Sequence, residues 1–576
     1  MAVVQISRIQ VRRGQKNVGS GLPQLASGEL GWAIDTRELF IGNGAVSEGA
    51  PAVGNTKILT EYDNIFELAD TYIYKADESY IVTGENSSNP IQRTLQDRLD
   101  DIVTVKSFNV KGDGVQVCTA ELQRAIDQLY INDATKGSEA SRVILYIEPG
   151  VYKIDGTIFI PPHVTLVGAG SDKTVIQQSN ALAIFRTVNS SSTPGTPADD
   201  STSTTLNQAT NIRIEGMTLE NTTDGKALVL QSCKNSLFRD LKFKGSWSTG
   251  SPIAKTHVAV EINSLSGTVE SSNNRFENCE FVDYAYAVIS NWDVEKNHFV
   301  GCDFSDLGIG IVFGEDMILG AASTGQSVGP SYNHFESCNF ENIERYAMWI
   351  KNGTHNTSHG NTYTLVGNDG GVETHPVFPI LRFDVKTNES INDYFARTVN
   401  LISGSGITNV PYVAEVESTA CHTSIYENSI TFGQLSNVRL FRLPASAVNN
   451  PSVAEEAASP SAVAVPQLMN WSYEIHYTMV SENYSVSRSG VMTLTINGYD
   501  DTVEMSDDFH FTGDESYLDS VLFNPTINTL TVPSVPSSKL SSLTVPHIDV
   551  KVTSTMPVDD QTQLKFTIKA KKTDII

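Results

Sequence analysis

The chain is short of charge, of cysteine and of long apolar runs, and each shortage closes a class of function. Only 18% of its 576 residues are charged, below the usual quarter, and Ser, Thr, Asn and Gly fill the gap. Lys and Arg number 40 against 66 Asp and Glu, a net charge of −26. No basic surplus is present to hold a phosphate backbone, so no nucleic-acid partner is expected. No apolar run nears the ~18 residues that span a bilayer, so no membrane insertion is expected. The six cysteines are Cys118, Cys233, Cys279, Cys302, Cys338 and Cys421, with no C-x-x-C among them. That pattern suggests neither a zinc site nor a disulfide framework, and no metal or cofactor is expected. Gly168-Ala169-Gly170 lacks the third glycine and following helix of a dinucleotide loop, and no P-loop or nucleophile elbow occurs. The first residues show no basic-then-apolar leader, which argues against a secreted cellular enzyme.

What is present is repetition. Asn-Arg-Phe-Glu-Asn-Cys-Glu-Phe at 274–281 returns as Asn-His-Phe-Val-Gly-Cys-Asp-Phe at 297–304 and Asn-His-Phe-Glu-Ser-Cys-Asn-Phe at 333–340, the cysteines 23 and then 36 residues apart. Residues 212–219 and 236–243 fit the same frame. A fixed period of this size means a solenoid. The alternation within each copy, cysteine in, polar out, phenylalanine in, means strands with one buried face. A 23-residue unit leaves no room for a crossover helix, so the reading is a parallel β-helix. Its inward columns are Met217, Leu241, Cys279, Cys302, Cys338 and Leu219, Phe243, Phe281, Phe304, Phe340. Asn274, Asn297 and Asn333 stack at the corner before the strand, where asparagine suits a tight turn. The cysteines are then small buried hydrophobes. The longer third unit implies a loop, placed at 315–330.

Taken in order, residues 1–60 carry Arg12-Arg13-Gly14, then Gly28-Glu29-Leu30-Gly31, then Asp35-Thr36, Gly42 and Gly44. Bottom-up these are short strands between glycine turns, too few to bury a core alone. The pattern resembles the N-terminal module of bacteriophage receptor-binding and tail-fibre proteins over about the first 45 residues. That resemblance implies an intertwined trimer that joins a fibre to the virion. Residues 61–105 are a connector, with Ile91, Leu95, Leu99 and Ile102 at helical spacing. From 106 the chain resembles the opening of the pectate-lyase-like β-helix superfamily as used in phage tail spikes. The features are a helix at 119–127, Pro149-Gly150-Val151-Tyr152, Ile160-Pro161 and Leu166-Val167-Gly168-Ala169-Gly170. It departs from that family at 114–120, where two acids that usually cap the helix are missing. Residues 190–210 read as a surface loop and 446–466 as a Pro/Ala/Ser linker. From 467 to 576 plain alternation, as in Trp471, Tyr473, Ile475, Tyr477 and Met479, reads as a β-sandwich. The fold expected is all-β: a right-handed parallel β-helix over 106–445, between the small β-rich N-terminal module and the C-terminal sandwich.

Repeat alignment supplies the chemical candidates. Glu280 and Asp303 share one outward position on adjacent rungs, ~4.8 Å apart at the Cα atoms. Asp283 and Asp306 are matched likewise. Glu315 and Asp316 lie at the start of the insertion, where all four carboxylates of Glu280, Asp303, Glu315 and Asp316 could meet under one loop. Carboxylates ~5 Å apart can run retaining glycoside hydrolysis, one as nucleophile and one as acid. Trp292 and Trp349 are the residues that could stack on sugar rings. Outward acids are nevertheless ordinary on an acidic protein, and fold alone licenses no activity. His298 and His334 stack beside the asparagines, and His355 and His359 sit in a polar loop; they read as surface residues. The function expected is a structural, homotrimeric tail-spike or fibre-like appendage of a phage virion. Arg12, Arg13, Gly14, Gly28, Glu29, Gly31, Asp35, Thr36, Gly42 and Gly44 would join it to tail, baseplate or neck proteins, and it would contribute to host attachment without strong glycan cleavage. The alternative is a polysaccharide depolymerase, a glycoside hydrolase or lyase acting on host surface polysaccharide.

Overall fold

The computed structural model describes residues 11–17, 25–44, 54–61, 102–132, 143–315, 329–351, 353–367, 380–383, 388–396, 414–416, 424–433, 437–444, 469–481, 483–497, 502–532, 543–554 and 561–574. It divides into two compact units, 1–102 and 103–576. Most of the expected connector at 61–105, its helical stripe up to Leu99 included, and the whole linker at 446–466 lie outside the described residues.

The first unit is a four-stranded sheet in the order β1 (Arg12–Gly14), β2 (Leu30–Ala33), β3 (Glu38–Gly42), β4 (Asn55–Ile58), with β1 parallel to β2 and the rest antiparallel. Its turns depend on side chains. The Asp35 carboxylate accepts the backbone N–H groups of Lys16 (2.8 Å) and Asn17 (2.7 Å). Glu38 takes Lys16 at 2.7 Å, Lys57 at 2.9 Å and the Thr36 hydroxyl at 2.6 Å. Gly42 is obligatory, because a Cβ there would lie 2.2 Å from the Ala26 carbonyl oxygen. Leu25, Ala33 and Phe40 form the buried cluster of this unit among its described residues.

The second unit is built on a long parallel β-helix. One rung runs as two short strands of a first sheet and one strand of a second, for example Arg275–Glu277, Glu280–Val282 and Tyr286–Ser290. Single left-handed residues turn the corners. Asn273, Lys296, Tyr332 and His355 (φ 55° to 59°) precede the first strand; Asn278, Gly301, Ser337, Gly360 and Asn392 (φ 52° to 63°) separate the first from the second. Asp283, Asp306, Asn342 and Leu365 (φ 52° to 60°) follow the second. Asn, Asp and Gly dominate these positions because they reach the left-handed region at least cost.

The inward columns stack as the repeats require. Phe276 lies 4.6 Å from Phe299 and Phe299 4.9 Å from Phe335, while Phe281, Phe304 and Phe340 are 4.6 and 4.5 Å apart, all with nearly parallel rings. These spacings are the strand separation itself, and each aromatic pair adds ~0.5–1.5 kcal/mol beyond burial. Cys118, Cys233, Cys279, Cys302 and Cys338 are buried and unbridged; Cys421 lies outside the described residues. The asparagine ladder is longer than its sequence signature. The side-chain amide and backbone N–H of Asn274 both donate to Asn297 Oδ1, and the same pair of bonds runs from Asn297 to Asn333, Asn333 to Asn356 and Asn356 to Asn388.

Both ends of the β-helix are covered. Helix α1 (Thr119–Ile126) buries Leu122, Ala125 and Ile126. The Gln123 side chain pairs with both backbone groups of Phe159 (2.7 and 3.2 Å), which satisfies the second sheet's edge. The helix start at Cys118 has no side-chain cap, in keeping with the missing acids, and Asp113 accepts the N–H groups of Val115 and Gln116 in the strand before it. At the far end the C-terminal strands extend the rung sheets instead of forming a separate body. Ser424–Gly433 pairs antiparallel with Gln561–Asp574, and Met469–Ser481, Val486–Asn497 and Thr502–Thr512 follow in that sheet. Asn437–Pro444 likewise pairs with Leu543–Ser554, then Val521–Val532. Tyr473, Leu494, Val550 and Phe566 belong to the same buried cluster as the rung interior.

Candidate functional site

The outer surface of the first sheet brings the paired acids together. Strand Glu280–Val282 pairs in register with Asp303–Leu307, placing Glu280 directly beside Asp303. The next partner up is Asn339 and the next down is Lys242. The Lys242 ammonium lies 2.6 Å from Glu280 Oε1, so this carboxylate has a counter-charge on its own column. Partial burial, then the Glu280 charge, raise Asp303 above the ordinary carboxylate range, with the Asn339 amide opposing. At the following corner, burial and Asp306 raise Asp283, and Asn342 donates to Asp306 at 2.5 Å. One acid held by a lysine beside one pushed upward is a pair with distinct environments, the arrangement acid–base chemistry uses. The same arrangement follows from repeats that place acids at one outward position.

Glu315 does not join them. It follows strand Ile309–Phe313 of the second sheet and is buried between Lys255 (2.8 Å) and Lys351 (2.6 Å). Burial alone would raise its carboxyl, but Lys351 and Lys255 outweigh this and hold it below the usual value. A buried carboxylate fixed by two ammonium groups is a clasp. Lys255 belongs to a strap over residues 245–257 that covers an apolar patch of Trp247, Tyr286, Ile289, Ile309 and Val312 on the outside of the second sheet. Gly250 in the strap also donates its N–H to Glu344 (2.8 Å). Asp316 lies outside the described residues, as do 316–328.

Of the two tryptophans, Trp349 is taken up by cations. Lys351 Nζ lies 4.1 Å and the Arg382 guanidinium 4.7 Å from its ring centroid, with the Tyr346 ring at 4.9 Å. Trp292 is half-buried just beyond strand Tyr286–Ser290. Trp349 stands on strand Met348–Ile350 of the second sheet and Trp292 in the turn after Tyr286–Ser290, whereas Glu280 and Asp303 are on the first sheet. His298 and His334 stack at 4.9 Å; burial, and for His298 also its neighbour His334, lower their pKa values. Among the described residues no group of three or more His, Cys, Asp or Glu is arranged to hold a metal ion, and no helix is long and apolar enough to cross a membrane. The sequence reading missed Lys242, Lys255 and Lys351, the cations that partner the acids. Register alignment could have found Lys242, since 236–243 fits the repeat; nothing local marks the other two.

In the first unit, the residues of the N-terminal pattern are fold-setting. Arg12 reaches Glu29 at 3.6 Å, and Glu29 accepts the Ala26 N–H. Arg12, Arg13 and Gly14 pair with Gly31, Trp32 and Ala33, and Gly28 and Gly44 adopt φ of 73° and 80°.

Residues 102–363 match the family described as rhamnogalacturonase A/epimerase, pectate lyase-like, and this stretch is a pectate lyase-like β-helix. No curated protein matches the chain. Among solved structures, ORF18 of Geobacillus virus E2 is similar at 15% identity and TM-score 0.43, covering 92% of this chain and 95% of that one. The tailspike gp49 of Acinetobacter baumannii bacteriophage Fri1, titled a capsular polysaccharide depolymerase, is 9% identical at TM-score 0.36, with coverage of 98% and 100%. The Streptococcus pneumoniae surface protein and adhesin PfbA is 14% identical at TM-score 0.39, with coverage of 57% and 91%.

Proposed function

We propose that this chain, whose residues 102–363 form a pectate lyase-like β-helix, is a bacteriophage virion appendage of tail-spike type. Residues 1–60 attach it, the β-helix is a rigid shaft, and the C-terminal sheets close the shaft. The observation that carries this reading is the N-terminal pattern, which resembles phage receptor-binding modules and whose Gly42, Asp35 and Glu29 make the contacts that shape a compact sheet. The appendage is a homotrimer. Among the described residues the buried cluster of this unit is Leu25, Ala33 and Phe40, a small core for a four-stranded sheet, and Ile34 and Leu59 stand 56% and 55% exposed, available to partner copies.

The test is Gly42→Val in a phage that carries this gene. A Cβ at this position collides with the Ala26 carbonyl, so the first unit should misfold while the β-helix forms. The expected result is soluble, protease-resistant shaft protein that is absent from purified particles. Particles that incorporate the variant at wild-type copy number would overturn the assignment of residues 1–60.

The alternative, a depolymerase, is favoured by one observation, the raised Asp303 beside the lysine-held Glu280. Glu280→Gln with Asp303→Asn is nearly isosteric and removes both the nucleophile and the acid. On the appendage reading neither wild type nor double variant releases reducing ends from host capsule. Release by wild type that vanishes in the variant establishes the depolymerase.

A further inference from the structure

Over two rungs near the C-terminal end of the β-helix, the inward columns that carry Phe335 and Cys338 in the regular rungs become polar together. The column of Phe335 continues as Ser358, Ser390 and Ile425. The column of Phe340 passes through Tyr363 to Phe395. Beside them the cysteine position becomes Asn361, then Asp393, then Asn428, linked by backbone-to-side-chain bonds: Cys338 N–H to Asn361 Oδ1 (2.7 Å), Asn361 N–H to Asp393 Oδ1 (2.7 Å) and Asp393 N–H to Asn428 Oδ1 (2.9 Å). Ser358, Asn361, Tyr363, Ser390, Asp393 and Asn428 are each at most 1% exposed.

Asp393 is the centre of this group. Its Oδ2 accepts the hydroxyls of Ser358 (2.5 Å) and Ser390 (2.6 Å). Each serine oxygen in turn receives a side-chain amide, from Asn361 (2.9 Å) and Asn428 (2.7 Å) respectively. The serine hydrogens are therefore committed to the carboxylate, and every group touching it is a donor. Asn361 and Asn428 show that an amide fits this column, so the carboxylate is not a steric requirement. No cation reaches it inside the lumen among the described residues. The titratable neighbours are Tyr363, whose hydroxyl bonds Ser358 (2.7 Å), and His359, half-exposed on the outer face and bearing on it weakly.

The position gives this buried acid a consequence. Strands Glu389–Ile391 and Tyr394–Ala396, on either side of Asp393, pair with Ser424–Gly433, the strand that also pairs with Gln561–Asp574 of the C-terminal sheets. We propose that Asp393 is a proton-sensitive joint between the shaft and its C-terminal sheets, looser when the carboxylate is ionised and tighter when it takes up a proton. The protonated acid donates to Ser358, whose hydroxyl turns its hydrogen to the Tyr363 oxygen; the exchange gives up the bond from the Tyr363 hydroxyl to Ser358, one neutral bond set against the relief of a buried charge. Burial is the dominant influence and moves the acid from 3.8 up to about 6, against the pull of its donors. The folded pKa lies above the unfolded one, so the folded joint bears a penalty at pH 7 that is relieved as pH falls through 6 toward 4. Two pKa units correspond to roughly a hundredfold in the opening equilibrium.

The experiment is amide hydrogen exchange with mass-spectrometric readout on the full chain at pH 7.5 and 5.0, corrected for intrinsic rates. Peptides covering 388–396 and 424–433 are compared with peptides covering 258–313. In wild type the joint peptides should open about tenfold less at pH 5.0, relative to the reference peptides, since the full hundredfold is reached only below the unfolded value of 3.8. In Asp393→Asn that pH response should disappear, with opening low at both values. Equal pH responses in wild type and Asp393→Asn, or greater opening of wild type at pH 5.0, overturn the proposal. Should Asp393→Asn fail to fold, Ser390→Ala removes one donor to the anion. Opening should then rise at pH 7.5 and change little at 5.0, and no change at either pH also overturns it.

Discussion

Replacing Asn297 by alanine removes one link from the asparagine ladder, and the structure sets the cost. Asn297 Oδ1 accepts both the backbone N–H (3.1 Å) and the side-chain amide (2.9 Å) of Asn274, and its own amide donates to Asn333 Oδ1 (2.9 Å). After truncation the Asn274 amide keeps the Cys233 carbonyl (2.7 Å) and Asn333 Oδ1 keeps the Asn297 N–H (3.0 Å). The Asn274 backbone N–H is left buried without an acceptor. An orphaned buried donor costs ~1–3 kcal/mol and each further lost bond ~1 kcal/mol, so the total is about 3–5 kcal/mol. The exposed corner neighbour Lys296 pairs with Glu295 at the surface, and Lys296→Ala should cost less than about 1 kcal/mol. Urea unfolding followed by far-ultraviolet circular dichroism compares the two variants. A midpoint for Asn297→Ala no lower than that of Lys296→Ala would refute the ladder as a source of stability.

Other predictions follow from the same columns and clasps. In the native protein Cys118, Cys233, Cys279, Cys302 and Cys338 should resist a thiol reagent, since burial lifts the Cys302 thiol well above its ordinary range. Cys302→Ala should cost ~1 kcal/mol, and Cys302→Asp should abolish folding by burying an unpaired charge; rapid labelling of these five thiols contradicts the register. Glu315→Gln removes the charge that clasps Lys255 and Lys351 and should cost about 3–5 kcal/mol, read as faster proteolysis within the strap at 245–257. Glu38 shows the acid dependence of the first unit. Burial tends to raise its carboxyl, but Lys16, Thr36 and Lys57 lower it from 4.5 to about 2. Its folded pKa is the lower one, so its stabilisation is complete above pH 4.5 and is lost as pH falls toward 2. Acid titration of Glu38→Gln should lack that loss.

The regular rungs were legible because their inward residues repeat: Cys279, Cys302 and Cys338 and the phenylalanines beside them fall where period-two alternation places them. The ladder was half legible. Asn356 and Asn388 continue it, but the surrounding sequence has lost Cys and Phe to Asn, Ser and Asp, so the frame fades where the polar lumen begins. The strap at 245–257 was invisible, because its Trp247 packs with Tyr286 and Ile309 and its Lys255 reaches Glu315, partners on later rungs, and neither carries a local period. The repeats correctly paired Glu280 with Asp303. They could not show that Glu315 lies on another sheet, since its position follows from where the corner after Asp306 sends the chain. The continuity between the C-terminal strands and the rung sheets is likewise a matter of long-range pairing, as between Asn428 and Phe566, which alternation alone does not specify.

The central claim, that this chain is a phage appendage held by its N-terminal unit, is tested most directly by immunogold electron microscopy of purified virions, with antibodies against the C-terminal strands 469–574. Gold should be confined to tail, baseplate or neck appendages, with label lost from particles made with Gly42→Val. Virions free of label, or label spread over the capsid, would contradict it.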